Sequence, residues 1–223
     1  MSDRIVTGMV ISSMPMNEYD RRLELLTGSF GRISVFARGA RKLSSDLVSS
    51  SRVFAFGQFE LFQGRSSYTL KSAKISNYFT ELSDDIDLLC YGQYFLEVAR
   101  YFSRENVEAT DLLKLVYVAL RTLPKGIIRY KLVRAVFEMK ALELNGICPS
   151  EDDILRPDSR FSSGSNLSQS AAYAVKYVLS SPVEKLYTFT LTESVEQEFC
   201  AVASHLMNIL VDRKFHALDY LEL

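Results

Sequence analysis

Residues 31–45 read GRISVFARGARKLSS, and they join a β-strand pattern to a cluster of positive charge. The second half of this stretch, residues 37–42, is a basic segment with Gly39 at its centre. Arginine and lysine beside a flexible glycine suit a polyanion backbone, because they reach phosphates without a fixed pocket. A solvated surface loop is the alternative interpretation. The first half alternates between two faces, which predicts a strand with Ile33, Val35 and Ala37 on one side and Arg32, Ser34 and Phe36 on the other.

The rest of the first 80 residues contains four more segments of strand-like composition. Residues 12–18 are predicted as a loop, because Pro15 cannot donate to a β-ladder. The serine-rich residues 43–52 are predicted as an exposed loop. Five short strands in about 75 residues indicate a small closed barrel, either an oligonucleotide/oligosaccharide-binding (OB) barrel or an SH3-like barrel. The four further predicted strands are residues 5–11, 19–26, 54–63 and 68–75.

Aromatic residues of an OB barrel can stack on nucleic-acid bases or fill the barrel core. Tyr68, Phe36, Phe56 and Phe62 are the candidates for stacking, and a place in the core is the alternative for each.

From residue 83 onward the apolar residues recur at helical spacing, which predicts an all-helical second part. The clearest apolar stripe lies in residues 127–144, where Arg134, Glu138 and Lys140 are expected to face away from it, toward solvent. The sequence therefore predicts an α+β fold with two domains, residues 1–80 and residues 81–223. The other predicted helices are residues 83–102, a second that begins at 107 or 110 and ends at 123, then 167–179, 192–210 and a short one within 212–223. Residues 150–168 are predicted as a polar loop, and residues 187–191 as a strand or an extended connector.

The sequence lacks the common signatures of catalytic and metal sites. Cys90, Cys148 and Cys200 are far apart, and His205 and His216 are the only histidines, so we predict no zinc ribbon and no transition-metal site. Neither a dinucleotide-binding fingerprint nor a Walker A loop is present, and no nucleophile elbow occurs. We therefore expect a binding protein with no catalytic residues and no cofactor rather than an enzyme.

Charge is distributed unevenly along the chain, although the formal net charge is only −1. Residues 1–80 contain 11 Lys+Arg and 6 Asp+Glu, whereas residues 81–223 contain 15 and 21. A basic half suggests contact with nucleic acid or with a membrane surface. The sequence contains no run of about 18 to 20 apolar residues, the length that a membrane helix needs. Its first residues lack the pattern of a signal peptide. We therefore expect a cytoplasmic protein that does not contact a membrane.

Six short segments carry a recognisable pattern: VTGMVI at residues 6–11, NEYD at 17–20, TGSFGRI at 27–33, ARGARK at 37–42, FEMKALELNGICP at 137–149 and RKFHALDYL at 213–221. In this order and spacing, they resemble the bacterial RecO family of RecF-pathway recombination mediators. The resemblance implies an N-terminal OB barrel and a helical domain. It also implies binding to single- and double-stranded DNA, annealing of complementary strands, and work with RecR and single-strand-binding protein to load RecA; nucleoid association follows from these roles.

Two features depart from the family pattern. Many family members carry a four-cysteine zinc site after the segment that matches residues 137–149, but residues 151–170 contain no cysteine, so we predict no zinc. The chain is also less basic than many members, which predicts DNA binding that is steeply sensitive to salt.

We therefore predict that Arg38, Arg41 and Lys42 contact DNA phosphates, with Arg32, Lys71 and Lys74 as weaker support. The alternative is a protein-interaction adaptor that acts through RecR and single-strand-binding protein and has little DNA affinity of its own. An accessory enzyme of DNA cleavage or ligation is a third, weaker hypothesis.

Overall fold

The computed structural model describes residues 2–65, 67–163 and 167–221. The first five strands form a closed barrel in the order β1-β2-β3-β5-β4. A five-stranded barrel closed by a parallel β3–β5 contact confirms the OB fold over the SH3-like alternative. The strands are β1 (Ser2–Met16), β2 (Asp20–Thr27), β3 (Gly31–Ala37), β4 (Phe56–Gln63) and β5 (Tyr68–Asn77).

Strand β3 has the predicted alternation. Its odd-numbered residues are buried and its even-numbered residues are partly exposed along the whole strand. The buried side chains enter one barrel core together with residues from the other four strands. Among the described residues, two pairs join β3 to β5, Val35 with Tyr68 and Phe36 with Thr69. This is the shortest pairing between neighbouring strands of the barrel.

Strand β1 is longer than predicted, and the prediction that Pro15 ends it is wrong. β4 pairs with β1 as far as Met9, whereas β2 pairs with β1 from Gly8 to Met16. Among the described residues, Pro15 therefore has a ladder partner only on the β2 side, opposite Arg21. Proline is tolerated there because a strand edge does not need its missing N–H.

Residues 43–52 are only partly the exposed loop that we predicted. Leu47 packs against the barrel core and begins the short helix α1 (Leu47–Ser50). Ser50 and Ser51 are buried, at 3% and 0% exposure. The serine-rich composition did not indicate that Leu47 would pack against the barrel core, and Ser50 and Ser51 are buried beside it.

The turn between β2 and β3 packs against residues 103–109. Gly31 has a φ of +61°, and a Cβ atom there would lie 2.0 Å from the carbonyl oxygen of Arg104. Backbone hydrogen bonds join Arg32 N–H to Arg104 O (3.2 Å) and Asn106 N–H to Phe30 O (2.9 Å). Only glycine allows the two backbones to approach this closely.

The chain divides into two compact units: Met1–Glu81 with Leu96–Leu113, and Leu82–Phe95 with Lys114–Leu223. Whether residues 1–80 and 81–223 fold as independent domains stays a prediction. Helices α4, α6 and α7 pack against one another within the second unit, and α5 packs against α6. The helices are α2 (Ile86–Phe102), α3 (Thr110–Thr122), α4 (Tyr130–Leu144), α5 (Glu151–Leu155), α6 (Gln169–Ser180) and α7 (Glu193–Leu210).

Helix α4 carries its predicted apolar stripe into the core, but the prediction for its charged residues is wrong. Glu138 is 1% exposed and Lys140 is 5% exposed. Glu138 accepts hydrogen bonds from the Tyr94 hydroxyl and from Arg134 Nε (2.7 Å). Burial and the Glu138 carboxylate raise the pKa of Tyr94 far above its ordinary value, so the hydroxyl remains a donor. Buried charge of this kind is tolerated because each group has a partner.

Three other helical predictions need adjustment. The polar stretch 150–168 contains helix α5, which Ser150 caps by accepting a hydrogen bond from Asp153 N–H (3.2 Å). Residues 187–191 are a connector rather than a strand, with a turn at Tyr187 and a bend at Thr188. Within 212–221, only Asp219–Leu221 form a helical turn, of the 3-10 type. The remaining 3-10 turns are Thr80–Ser83, Leu123–Lys125 and Val183–Lys185.

Within the described ranges, no helix combines the length and apolar character that a crossing of the bilayer requires.

Substitution of Gly31 tests the close approach of the two backbones. We expect Gly31→Ala to lower the free energy of unfolding by about 3 to 4 kcal/mol, because strain at positive φ adds to a steric clash. Gly39 is the matched control in the same unit: its φ is +69°, but the nearest atom to a new Cβ is Lys42 Cδ at 3.8 Å. Gly39→Ala should therefore cost only about 1 to 2 kcal/mol. Equal losses in chemical denaturation would contradict this explanation.

Removal of Glu138 tests the buried charge network. We expect Glu138→Leu to destabilise the protein by about 2 to 4 kcal/mol, because Arg134 and the Tyr94 hydroxyl lose their shared acceptor. Lys131→Ala, at an exposed position of the same helix, should change stability by about 0.5 kcal/mol or less. Urea denaturation followed by circular dichroism measures both, and a neutral Glu138→Leu would show that the network is not needed.

Candidate nucleic-acid interface

The basic loop, residues 37–42, follows directly from the end of β3. Gly39 takes a left-handed conformation there, with a φ of +69°. Lys42 N–H donates to Gly39 O at 3.0 Å, and Ser45 N–H donates to Lys42 O at 2.9 Å. Ala40 is fully buried in the barrel core. The loop is therefore anchored at its centre while its cationic side chains point outward.

The turn between β1 and β2, residues 17–19, and the first residue of β2, Asp20, hold the basic loop in place. Gly39 N–H donates to the Asp20 carboxylate (2.8 Å), and Arg41 N–H donates to Tyr19 O (2.9 Å). The Arg41 side chain donates from Nη1 to Asn17 O at 3.0 Å. Three hydrogen bonds thus join two segments about 20 residues apart in sequence, which the linear pattern did not reveal.

The three principal predicted residues are brought together on this loop, and all three are exposed. Arg38 makes no hydrogen bond or ion pair within the part of the chain that the structure describes. Lys42 Nζ lies 5.2 Å from the centre of the Tyr19 ring. Arg41 uses one of its nitrogens on Asn17 O and keeps its charge uncompensated by any carboxylate in the described ranges. The loop can therefore offer positive charge to an anion.

Arg32, predicted as weaker support, lies elsewhere and has a structural role. Its Nη1 donates to the Glu24 carboxylate at 3.1 Å, and its Nε donates to Ser103 O at 3.3 Å. Glu24 is 8% exposed and forms a second ion pair with Arg100, with 2.6 Å between Arg100 Nε and Glu24 Oε2. The charge of Arg32 is therefore largely committed to a buried carboxylate.

Lys71 and Lys74, the other two supporting residues, differ although both are exposed on β5. Lys71 Nζ lies 2.8 Å from Asp3 and 3.1 Å from Glu60. Hydrogen bonds to Asp3 and then to Glu60 raise the pKa of Lys71, so its ammonium group is charged and is paired with these carboxylates. For Lys74, the described residues provide no side-chain partner, so only Lys74 of this pair is available to a phosphate.

The four aromatic candidates separate into core and surface. Tyr68 is 6% exposed and belongs to the barrel core, which excludes it as a stacking platform. Phe62 is 38% exposed, and Phe36 and Phe56 are half-buried. Sequence reasoning overlooked Tyr19, which is 46% exposed beside the basic loop. The signal that could have found it was an aromatic residue at the first position of the predicted strand 19–26, where the strand meets a loop.

Cys148 and Cys200 lack the environment of a nucleophilic thiol, and the two histidines lie beside oxygen acceptors. Burial raises the pKa of Cys148 to about 11 and that of Cys200 to about 12, so both remain protonated at neutral pH, whereas a nucleophile needs a thiolate. His205 Nε2 lies 2.9 Å from Arg160 O, and His216 Nδ1 lies 2.9 Å from the Asp219 carboxylate. Within the described residues, no three His, Cys, Asp or Glu side chains cluster as metal ligands.

Comparison with known families matches both parts of the chain. A family model described as "Recombination protein O N terminal" matches residues 1–79, and one described as "Recombination protein O C terminal" matches residues 83–219. The chain is 26% identical over 238 residues to the DNA repair protein RecO of Acetivibrio thermocellus, covering 97% of this chain and 95% of that protein. The RecO protein of Clostridium perfringens strain 13 is 26% identical, over 96% of each chain. That of Alkaliphilus metalliredigens is 30% identical over 64% of this chain and 58% of its own.

Arg32 is paired with Glu24, whereas Lys74 has no side-chain partner in the described residues. Substitution of these two residues should therefore have different effects on DNA binding and on stability. We expect Lys74→Ala to reduce the salt slope of DNA binding by about 0.7, the value for one phosphate contact on a single strand. Arg32→Ala should leave that slope unchanged and lower stability by about 1 to 2 kcal/mol, because Glu24 loses one partner. Fluorescence anisotropy across a salt series, together with thermal melting, measures both effects. A flattened slope for Arg32→Ala would show that its charge does reach DNA.

Proposed function

Because the chain belongs to the recombination protein O family of DNA repair proteins, we propose that it is a non-enzymatic mediator of DNA repair and recombination. It would bind single- and double-stranded DNA through Arg38, Arg41 and Lys42, with Lys74 as a further contact. The observation that supports this proposal best is the anchored basic loop, whose exposed cations have no carboxylate partner in the described ranges. Residues 1–80 would then form the DNA-binding domain and residues 81–223 the helical domain.

The chemistry of the loop suits binding that is independent of base sequence. Arginine and lysine on a short loop contact phosphate oxygens, and phosphates are the same at every nucleotide. Each neutralised phosphate releases condensed counterions, so the affinity should fall steeply as salt rises. Strand β3 positions the loop at its end, and the proposal assigns no base-reading contact to the strand itself.

Annealing follows from the same charge neutralisation. Two complementary strands repel each other through their phosphates, and a protein that neutralises part of that charge lowers the electrostatic cost of their approach. Base pairing then supplies the sequence specificity. The protein would need no catalytic residue for this role.

The partners of this activity come from the family rather than from the geometry. We propose that the protein works with RecR and single-strand-binding protein, and that it promotes RecA loading indirectly, on strands that single-strand-binding protein has coated. A cytoplasmic location with association to the nucleoid would accompany these roles. Zinc and other cofactors are not needed for any step that the proposal assigns to this chain.

A protein-interaction adaptor is the second candidate, and a specific observation favours it. Of the six predicted DNA contacts, Arg32 and Lys71 already hold carboxylates, which reduces the charge that is available to DNA. The second compact unit, here called the helical unit, also has a cavity of about 680 Å³ whose lining includes Tyr91, Ile128 and Lys131. The cavity offers apolar groups and charges of both signs to a partner peptide. As an adaptor, the protein would reach DNA only through RecR or single-strand-binding protein.

A double substitution in the basic loop tests the proposed function. Arg38→Ala combined with Arg41→Ala should weaken binding to labelled single-stranded DNA equally across sequences, and should flatten the salt slope by about 1.4, two phosphate contacts at about 0.7 each. The rate of annealing of complementary oligonucleotides should fall with it. Anisotropy titrations from low to physiological salt, followed by a strand-annealing assay, make the measurement.

The matched control removes two exposed cations from the helical unit. Arg121→Ala with Lys125→Ala changes the net charge equally and should leave the salt slope as it is. If the unsubstituted protein fails to bind DNA even at low salt but binds single-strand-binding protein, the adaptor function replaces the mediator function.

A further inference from the structure

We infer that Tyr19 is a base-stacking platform that Lys42 covers in the absence of DNA. This inference rests on the proposed DNA binding and adds to it a preference for unpaired bases. It assigns a role to Tyr19, the aromatic residue of the turn that holds the basic loop.

The position of Tyr19 is fixed through its backbone, so its ring is not needed to hold the loop. Its carbonyl oxygen accepts the hydrogen bond from Arg41 N–H at 2.9 Å, and the neighbouring Asn17 contributes its own carbonyl to the Arg41 side chain. Asn17 has a φ of +54°, which marks a tight turn. The Tyr19 ring nevertheless remains 46% exposed, although burial of an aromatic ring is ordinarily favourable. A large exposed ring beside Lys42, on the turn to which the basic loop is hydrogen-bonded, has the features of a single-strand binding site.

Lys42 supplies the second observation. Its Nζ lies 5.2 Å from the centre of the Tyr19 ring, a cation–π contact that is weak at an exposed site. A charge-assisted hydrogen bond to a phosphate oxygen is stronger than this contact. The backbone of Lys42 is held by its N–H bond to Gly39 O, so the side chain alone needs to move. When a strand arrives, Lys42 would exchange the ring for a phosphate, and the uncovered ring would accept a base.

Two other exposed aromatic residues, Tyr173 and Phe62, lack this combination. Tyr173 on α6 is 69% exposed and lines a cavity of about 610 Å³, but none of the residues lining that cavity is charged. Phe62 on β4 is 38% exposed, but the nearby strand positions hold the Lys71, Asp3 and Glu60 ion pairs, so that cation is already occupied. Tyr19 alone among these three combines an exposed ring with cations that have no carboxylate partner in the described ranges.

The stacking role has a consequence for strand annealing. A base in a duplex is stacked on its own neighbours and is not available to Tyr19, whereas a base in a single strand is. The ring would therefore add affinity for single strands but not for duplexes. As complementary bases pair, they would leave Tyr19, and the annealed product would bind more weakly than the strands from which it formed.

Three substitutions in the full-length protein test this role. Tyr19→Leu removes the aromatic face, Tyr19→Phe keeps it, and Tyr173→Leu is the control at an exposed tyrosine of the helical unit. The probes are a labelled thymidine oligonucleotide, an abasic oligonucleotide with the same number of phosphates, and a duplex of the same length. Tyr19→Leu should lose about tenfold in affinity for the thymidine oligonucleotide alone, with the salt slope unchanged. Tyr19→Phe and Tyr173→Leu should stay within about twofold of the unsubstituted protein on all three probes.

The other outcomes separate this inference from the proposed function. If Tyr19→Leu weakens binding to all three probes equally, Tyr19 only positions the basic loop, and the stacking role is overturned while DNA binding stands. If Tyr19→Leu changes nothing, the stacking role is also overturned. If the unsubstituted protein binds none of the probes at low salt, both proposals fail.

A second measurement does not depend on any variant folding correctly. An oligonucleotide containing 2-aminopurine should lose fluorescence when it binds the unsubstituted protein, because stacking on an aromatic ring quenches it. Binding seen by anisotropy with no change in 2-aminopurine fluorescence at any position of the oligonucleotide would overturn the stacking role.

Discussion

The buried Glu24 carboxylate is the contact on which the arrangement of the first unit depends. It lies within 3.1 Å of Arg32 and within 2.6 Å of Arg100, and a carboxylate at 8% exposure needs such partners to remain charged. Together with the close approach at Gly31, this ion pair holds the β2–β3 turn against residues 103–109. One end of β3 is thereby fixed. Its other end presents the basic loop, so the cations of that loop extend from a rigid strand.

The same residue types serve two different purposes in this protein, and the neighbouring carboxylates determine which. Arg32 and Arg134 lie beside the buried acids Glu24 and Glu138, and they stabilise the fold. Arg38 has no such neighbour in the described part of the chain, and its charge is available to a ligand. A count of Lys and Arg therefore overestimates the charge that can meet DNA, because a cation within about 3 Å of a carboxylate is largely neutralised at longer range.

Much of the architecture could be read from local patterns. The alternation in β3 and the apolar stripe of α4 predicted these elements correctly, because each pattern depends on neighbours within a few residues. The errors arose where a distant segment changes the environment. Pro15 continues a strand because β4 leaves β1 after Met9, and Glu138 is buried because Tyr94, 44 residues away, donates to it.

The sequence by itself determined the fold class, the family and the position of the basic loop, since these follow from periodicity and from the order of short motifs. Only the tertiary structure decided which cations of that set are available and which aromatic residue stands beside them. Arg32 and Lys71 are distinguished from Arg38 only by carboxylates that strand pairing and chain packing bring near. Tyr19 meets Lys42 because a turn and a loop distant in sequence share one end of the barrel. Charge pairing and stacking act over a few ångströms in space, and sequence separation does not reveal those distances.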